Sequence, residues 1–192
     1  MKTTTTICLA GLLLSCSQSN TFSGGEAFAD LPASAVKAPY PGNEALVKVH
    51  VLDINDKVAS EGDYLNGRKE GAWTEYYPTG VVKSVTSYVG GKKQGAQIIV
   101  DEGGQVVEKS YFHNDQLHGN YVKYNRRAVK EERSYQFGKL HGMVRIYHDN
   151  GKLMEESPYE NGMREGIAKW YNTEGEVTIE YLYRNGEWIK DE

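Results

Sequence analysis

The chain has 192 residues, a formal charge of −4, 21 Gly, 14 Tyr, five Pro and two Cys. That length suits one domain with a modest core, and the Gly and Tyr content points to many short strands joined by tight turns. No basic cluster is longer than Lys92-Lys93 or Arg126-Arg127, which argues against the phosphate-tracking surface that nucleic-acid binding needs.

Residues 1–15 read as a targeting segment. Lys2 supplies a charge and Ile7 to Leu14 a short apolar run, too brief for a bilayer core that needs about 20 residues. The run ends in Leu13-Leu14-Ser15-Cys16, which resembles the lipobox of bacterial lipoproteins. The alternative is an ordinary secretory signal with a chance Cys. The resemblance implies cleavage before Cys16, lipid on its sulfur and an acylated new amino terminus. Cys8 leaves with the signal, so the mature chain has no disulfide available. Several acyl chains on one residue make a stable membrane anchor. Ser17 stands where the inner-membrane retention signal of enteric lipoproteins has Asp, so an outer-membrane anchor is expected, facing either the periplasm or the outside.

The stretch from Cys16 to residue 45 is rich in Ser, Ala, Gly and Pro and lacks periodicity. Pro32, Pro39 and Pro41 break any helix there, and the segment reads as a flexible tether. Strand alternation begins at Leu46, and residues 46–192 form the folded domain. Residues 46–63 read as a divergent half-repeat that caps an array.

The array follows from the glycines. Gly71, Gly95, Gly119, Gly142 and Gly166 recur at spacings of 24, 24, 23 and 24. A second Gly follows each by nine residues, at Gly80, Gly104, Gly151 and Gly175; in the third copy Ala128 fills that slot. An aromatic stands seven residues before each loop Gly, giving a ladder of Tyr64, Tyr88, Phe112, Tyr135 and Tyr159, and Tyr183 opens a truncated sixth copy. A period of this size marks a repeat array. The turns PTG, EGG, DNG and TEG suit a three-residue hairpin loop whose last residue is left-handed. The third copy, NRRA at 125–128, is one residue short. Each copy therefore reads as a β-hairpin, and the hairpins lie side by side in one open antiparallel sheet.

Counting from the turns pairs Tyr76 with Val82 and places both on the face of Tyr88. Three apolar ladders then share one buried side. The opposite side mixes Trp73, Ile99, Tyr121, Val144, Ile146 and Trp170 with charged residues, and is expected to meet a partner. Trp73, Tyr121 and Trp170 are the candidate binding residues, since large aromatics favour interface hot spots.

The motif Tyr-x-Asn-Gly-x-x-x-Gly-x-Trp-x-x-Tyr-Tyr-x-x-Gly at 64–80 resembles the MORN-variant repeat of bacteria, over residues 56–192. The resemblance implies a β-hairpin solenoid without catalysis, and in many bacterial relatives an antitoxin label. In eukaryotes MORN repeats are linked to membrane attachment and acidic phospholipids, but the basic residues for that are sparse here.

No catalytic, cofactor or metal residues are expected. His118 and His141 occupy equivalent slots one hairpin apart, about 10 Å, too far to share a zinc bound at about 2.1 Å. The pairs Glu131-Glu132 and Glu155-Glu156 are strand neighbours that point to opposite faces. The expected function is a non-enzymatic protein–protein scaffold in the envelope, antitoxin- or immunity-like in one form. A module for glycan or lipid headgroups and a structural spacer remain as alternatives.

Overall fold

A computed structural model describes residues 28–190. The signal segment, Cys16 and residues 17–27 lie outside the described residues. Within them the chain is all-β, forming one 17-stranded sheet in which every strand pairing is antiparallel. The first seven strands are β1 Ala35–Tyr40, β2 Asn43–Leu52, β3 Val58–Leu65, β4 Arg68–Tyr76, β5 Val82–Val89, β6 Lys92–Val100 and β7 Val106–His113. Next come β8 Gln116–Leu117, β9 Gly119–Asn125, β10 Ala128–Gln136, β11 Lys139–Leu140 and β12 Gly142–Tyr147. The chain closes with β13 Leu153–Glu160, β14 Met163–Arg164, β15 Gly166–Tyr171, β16 Val177–Arg184 and β17 Glu187–Ile189.

Two kinds of connection alternate along the sheet. On one edge lie three-residue turns: Gly80 N–H donates to the Tyr77 carbonyl at 2.8 Å and Tyr77 N–H to the Val81 carbonyl at 2.8 Å. Gly80, Gly104, Gly151 and Gly175 all have φ between 79 and 88° there, as the repeat spacing requires. The shortened third copy closes with two residues, Arg126 and Arg127, both left-handed at φ 48 and 72°. On the other edge lie two-residue turns with positive φ at both positions, such as Asn66-Gly67, Asn161-Gly162 and Asn185-Gly186. These turns match strand twist, and Asn and Gly tolerate their backbone.

The hairpin register starts as the sequence predicts and then departs from it. Tyr76 does pair with Val82, but Glu75 pairs with Ser84, so Lys83 is unopposed. The same one-residue bulge recurs in each copy, at Ala59, Val107, Lys130, Met154 and Thr178. An extra residue reverses the facing of everything beyond it. Tyr88 consequently pairs with Gly71 and shares a face with Trp73, while Tyr76 and Val82 face the other way. The aromatic ladder, Trp73 and Trp170 therefore share one face. The expectation that they lie on opposite faces is corrected.

That shared face carries the core. Val47, Val49, Tyr64 and Trp73 form a buried cluster, with Tyr64 edge-on to Trp73 at a centroid distance of 5.6 Å. Gly62 lies directly beneath the indole: a Cβ there would stand 2.2 Å from Trp73 Cε3. Further along, the same central row buries Thr86, Ser110, Val144, Ser157 and Ala168. Small residues alternate with large ones, so a single sheet covers its own midline.

The tether expected up to residue 45 is folded from Phe28 onward. Phe28, Leu31 and Ala35 pack against the core cluster, and Asp30 accepts the Tyr64 hydroxyl at 2.9 Å. β1 then adds a strand to β2. Burial of a few apolar side chains outweighs the Pro-rich composition that suggested a linker.

Candidate binding surface

The three candidate residues lie on one face but in different environments. Trp73 is 4 % exposed, with the Lys69 ammonium over its ring at 4.5 Å. It is a core residue. The expectation that it faces a partner is corrected, because the bulge turns it toward Tyr64. Tyr121 is half-buried, with its hydroxyl donating to Glu108 at 2.9 Å. Burial, and then that carboxylate, push its phenol up to about 12. Arg133 lies over its ring and is paired with Glu131. Tyr121 is thus engaged within the sheet.

Trp170 is half-buried like Tyr121 but has exposed aromatic neighbours. It lies toward the carboxyl end, with the Arg164 guanidinium over its ring at 5.5 Å, and Arg164 is held by Glu155 at 2.7 Å. The same guanidinium reaches the rings of Tyr159 and Tyr183. Trp170 then contacts Tyr181 at 6.0 Å, and Tyr181 contacts Trp188 at 4.8 Å. Ile179, Tyr181 and Trp188 are exposed. Among the described residues no strand pairs with the outer edge of β16 over 177–181. Tyr181, Trp188 and Arg164 were missed by sequence reasoning. Each lies within a copy, but only the bulge shows that Tyr181 joins the face of Trp170.

The ladder residues Tyr64, Tyr88, Phe112, Tyr135, Tyr159 and Tyr183 stand opposite Lys69, Lys93, Leu117, Leu140, Arg164 and Trp188. Lys93 lies over Phe112 at 4.8 Å. Tyr64 is buried and the other five are half-buried. The opposite face repeats a different contact: Tyr76, Tyr147 and Tyr171 donate to Glu61, Glu132 and Glu156, each fifteen residues earlier, at 2.6–2.7 Å. Burial, then the carboxylate bond, raise Tyr147 and Tyr171 to about 12. Tyr124 has Lys109 in the corresponding place, with the ammonium 5.8 Å from its ring.

The slot that holds His118 has a structural role in four copies, whereas in the copy that holds His141 the ring Nδ1 is buried without a hydrogen-bond partner. In those four the side chain accepts the first amide of the next two-residue turn: Glu70 from Gly90, Gln94 from Asn114, His118 Nδ1 from Phe137, Glu165 from Asn185. His118 also packs against Phe137 at 4.8 Å. Among the described residues no group of three or more His, Cys, Asp or Glu is placed to hold a metal. No helix there is long and apolar enough to cross a membrane.

With this geometry in place, three stretches match the family model of the MORN repeat variant: residues 69–89, 140–161 and 164–185. These are MORN-variant repeats. Each matched stretch carries a loop Gly, the strand that follows it and that strand's hairpin partner. Between them, residues 92–136 hold the copies in which Val100-Asp101 stands where the first copy has Tyr76-Tyr77 and in which the turn is shortened. No curated protein matches the chain. The chain is a repeat-based binding module.

Proposed function

We propose that this MORN-variant chain is a non-enzymatic module, anchored through lipid on Cys16 in the outer membrane, that holds a protein partner at the carboxyl end of its inner face. The observation that carries this reading is the cluster of Trp170, Tyr181 and Trp188 beside an unpaired strand edge. Exposed clustered aromatics beside a free edge suit hot-spot burial and strand addition. An immunity-like or antitoxin-like partnership is one specific form of the same reading. A glycan platform is less well supported. Sugar rings stack best on flat, parallel aromatic surfaces, whereas these neighbours are inclined at 64 and 54°.

The test is crosslinking in intact cells from a photoreactive residue at position 170, read by mass spectrometry, with position 73 as the buried control. A dominant protein adduct from 170 and none from 73 is the expected result. No protein adduct at 170, with the domain retained on cell-wall sacculi, would replace the reading by the glycan one.

A further inference from the structure

The shortened turn of the third copy opens a gap that its neighbours close. In the slot that precedes the three-residue turns, Tyr77 donates its hydroxyl to the Val100 carbonyl at 3.0 Å. His148 Nε2 likewise meets the Tyr171 carbonyl at 2.9 Å, so each of these turns is tied to the next copy. Asn125 holds that slot in the third copy and makes no such bond among the described residues. Lys130, the unopposed bulge residue, reaches the Tyr147 carbonyl in its place at 3.2 Å. Between turns 125–128 and 148–152 this leaves a cleft of about 470 Å³, lined by Asn125, Arg126, Ala128, Lys130, His148 and Asp149. The equivalent gap between turns 53–57 and 77–81, which Tyr77 lines, is only about 70 Å³.

The lining is charged and rich in hydrogen-bonding groups. Lys130 Nζ donates to the Tyr147 carbonyl and, at 2.7 Å, to Asp149, which leaves one of its three N–H groups free. Among the described residues Arg126 has no ion-pair partner, yet its charge reaches Asp149. The Asp149 carboxyl is held below its usual range by the Lys130 bond first, then by the Lys130 charge, with a smaller share from Arg126. Two cations thus face one carboxylate, and the lining is one charge positive. The carbonyl that His148 Nε2 meets can only accept, so the neutral ring presents Nδ1 as an acceptor. Arg126 and Arg127 are both left-handed where such a turn prefers Asn-Gly. Strained backbone that carries two guanidinium groups points to a use for those side chains.

We propose that this cleft binds a sugar acid, a small hydroxylated ring bearing one carboxylate. The carboxylate pairs with the Arg126 guanidinium, whose planar fork matches it, and with the free N–H of Lys130. The ring hydroxyls donate to the second oxygen of Asp149, the Asn125 side-chain carbonyl and His148 Nδ1, acceptors that a simple carboxylate leaves unused. A phosphate dianion suits the site less, because one negative charge neutralises the lining and a second is repelled by Asp149. The cleft falls in the size range of small-ligand sites, about 300–1,000 Å³, and its polar lining suits a hydroxylated ligand. The site depends neither on the aromatic cluster around Trp170 nor on lipid at Cys16.

The experiment is an amide-resolved NMR titration of the full chain with sodium D-glucuronate at fixed ionic strength. Amides of residues 125–130 and 148–149 should shift and saturate, while those of 53–57 and 77–81 stay in place. D-glucose, which lacks the carboxylate, should move neither set. Inserting a Gly between Arg127 and Ala128 restores the spacing of 24 and the three-residue turn. It should abolish the shifts, while the thermal midpoint holds or rises because Gly accepts the left-handed position. Arg126→Gln should weaken binding about tenfold or more, as loss of a charge-assisted hydrogen bond implies. Undiminished binding by the Gly insertion, or saturating shifts elsewhere in the sheet, overturns the cleft as the site. Equal binding of glucose, or tighter binding of inorganic phosphate, overturns the ligand class. N-acetylglutamate that binds as tightly as glucuronate overturns it too, and assigns the cleft to an acidic side chain of a protein.

Discussion

The two ends of the sheet are built from the same repeat and finished differently. At the amino end, Phe28, Leu31 and Ala35 pack onto the core, and β1 supplies the outermost strand. Lys37 and Pro39 on β1 are residues that discourage further strand pairing. At the carboxyl end, Val177, Ile179 and Tyr181 are exposed along β16 with no Pro or Lys over 177–181. The lesson is that a repeat of this kind supplies an edge as readily as it supplies a core. What distinguishes a cap from a binding end is a short non-repeat segment.

The largest expected effect sharpens this contrast. Trp73→Ala should cost about 3–5 kcal/mol, because the indole is buried against Tyr64 and above Gly62. Trp170→Ala, at the open end, should cost only about 1–2 kcal/mol, since much less of the ring leaves water. Chemical denaturation of the two variants checks the difference, and equal losses would mean that the carboxyl end is packed like the amino end.

A smaller effect should come from the cap itself. Tyr64→Phe removes the hydrogen bond to Asp30 and should cost about 1 kcal/mol. Protection of β1 amides from hydrogen exchange should fall with it. If β1 protection is unchanged, the cap is held by apolar contact alone.

Alkaline pH should produce the smallest and broadest change. Tyr121, Tyr147 and Tyr171 have phenols raised from 10.0 to about 12. Below pH 10 these groups are protonated in both folded and unfolded chains, so their contribution is complete there. Between 10 and 12 the unfolded chain releases protons that the folded chain keeps, and stability declines as pH rises. Thermal midpoints should be flat below pH 10 and fall above it, with tyrosinate absorbance of the folded chain lagging behind that of free tyrosine. A folded chain that titrates like free tyrosine would show that the Tyr–Glu contacts, Tyr121–Glu108 on the inner face and the other two on the outer, are not maintained in solution.

The sequence alone determined the period, the all-β class, the three-residue turns with their left-handed Gly, and the aromatic ladder. These depend on local backbone requirements, which appear as residue types at fixed intervals. The single spacing of 23 marked the short turn at 125–128, although the left-handed Arg126 and Arg127 were visible only in the fold. Which side the ladder faces was decided by tertiary structure. One unopposed residue per hairpin, at positions such as Lys83 and Thr178, reverses the alternation, and nothing in the composition of those positions announces it. The packing of Phe28 and Leu31 beneath a Pro-rich segment was likewise hidden, because it joins residues far apart in the chain. Periodicity reports contacts made again and again, whereas a bulge and a cap are decided by how distant strands pair and pack.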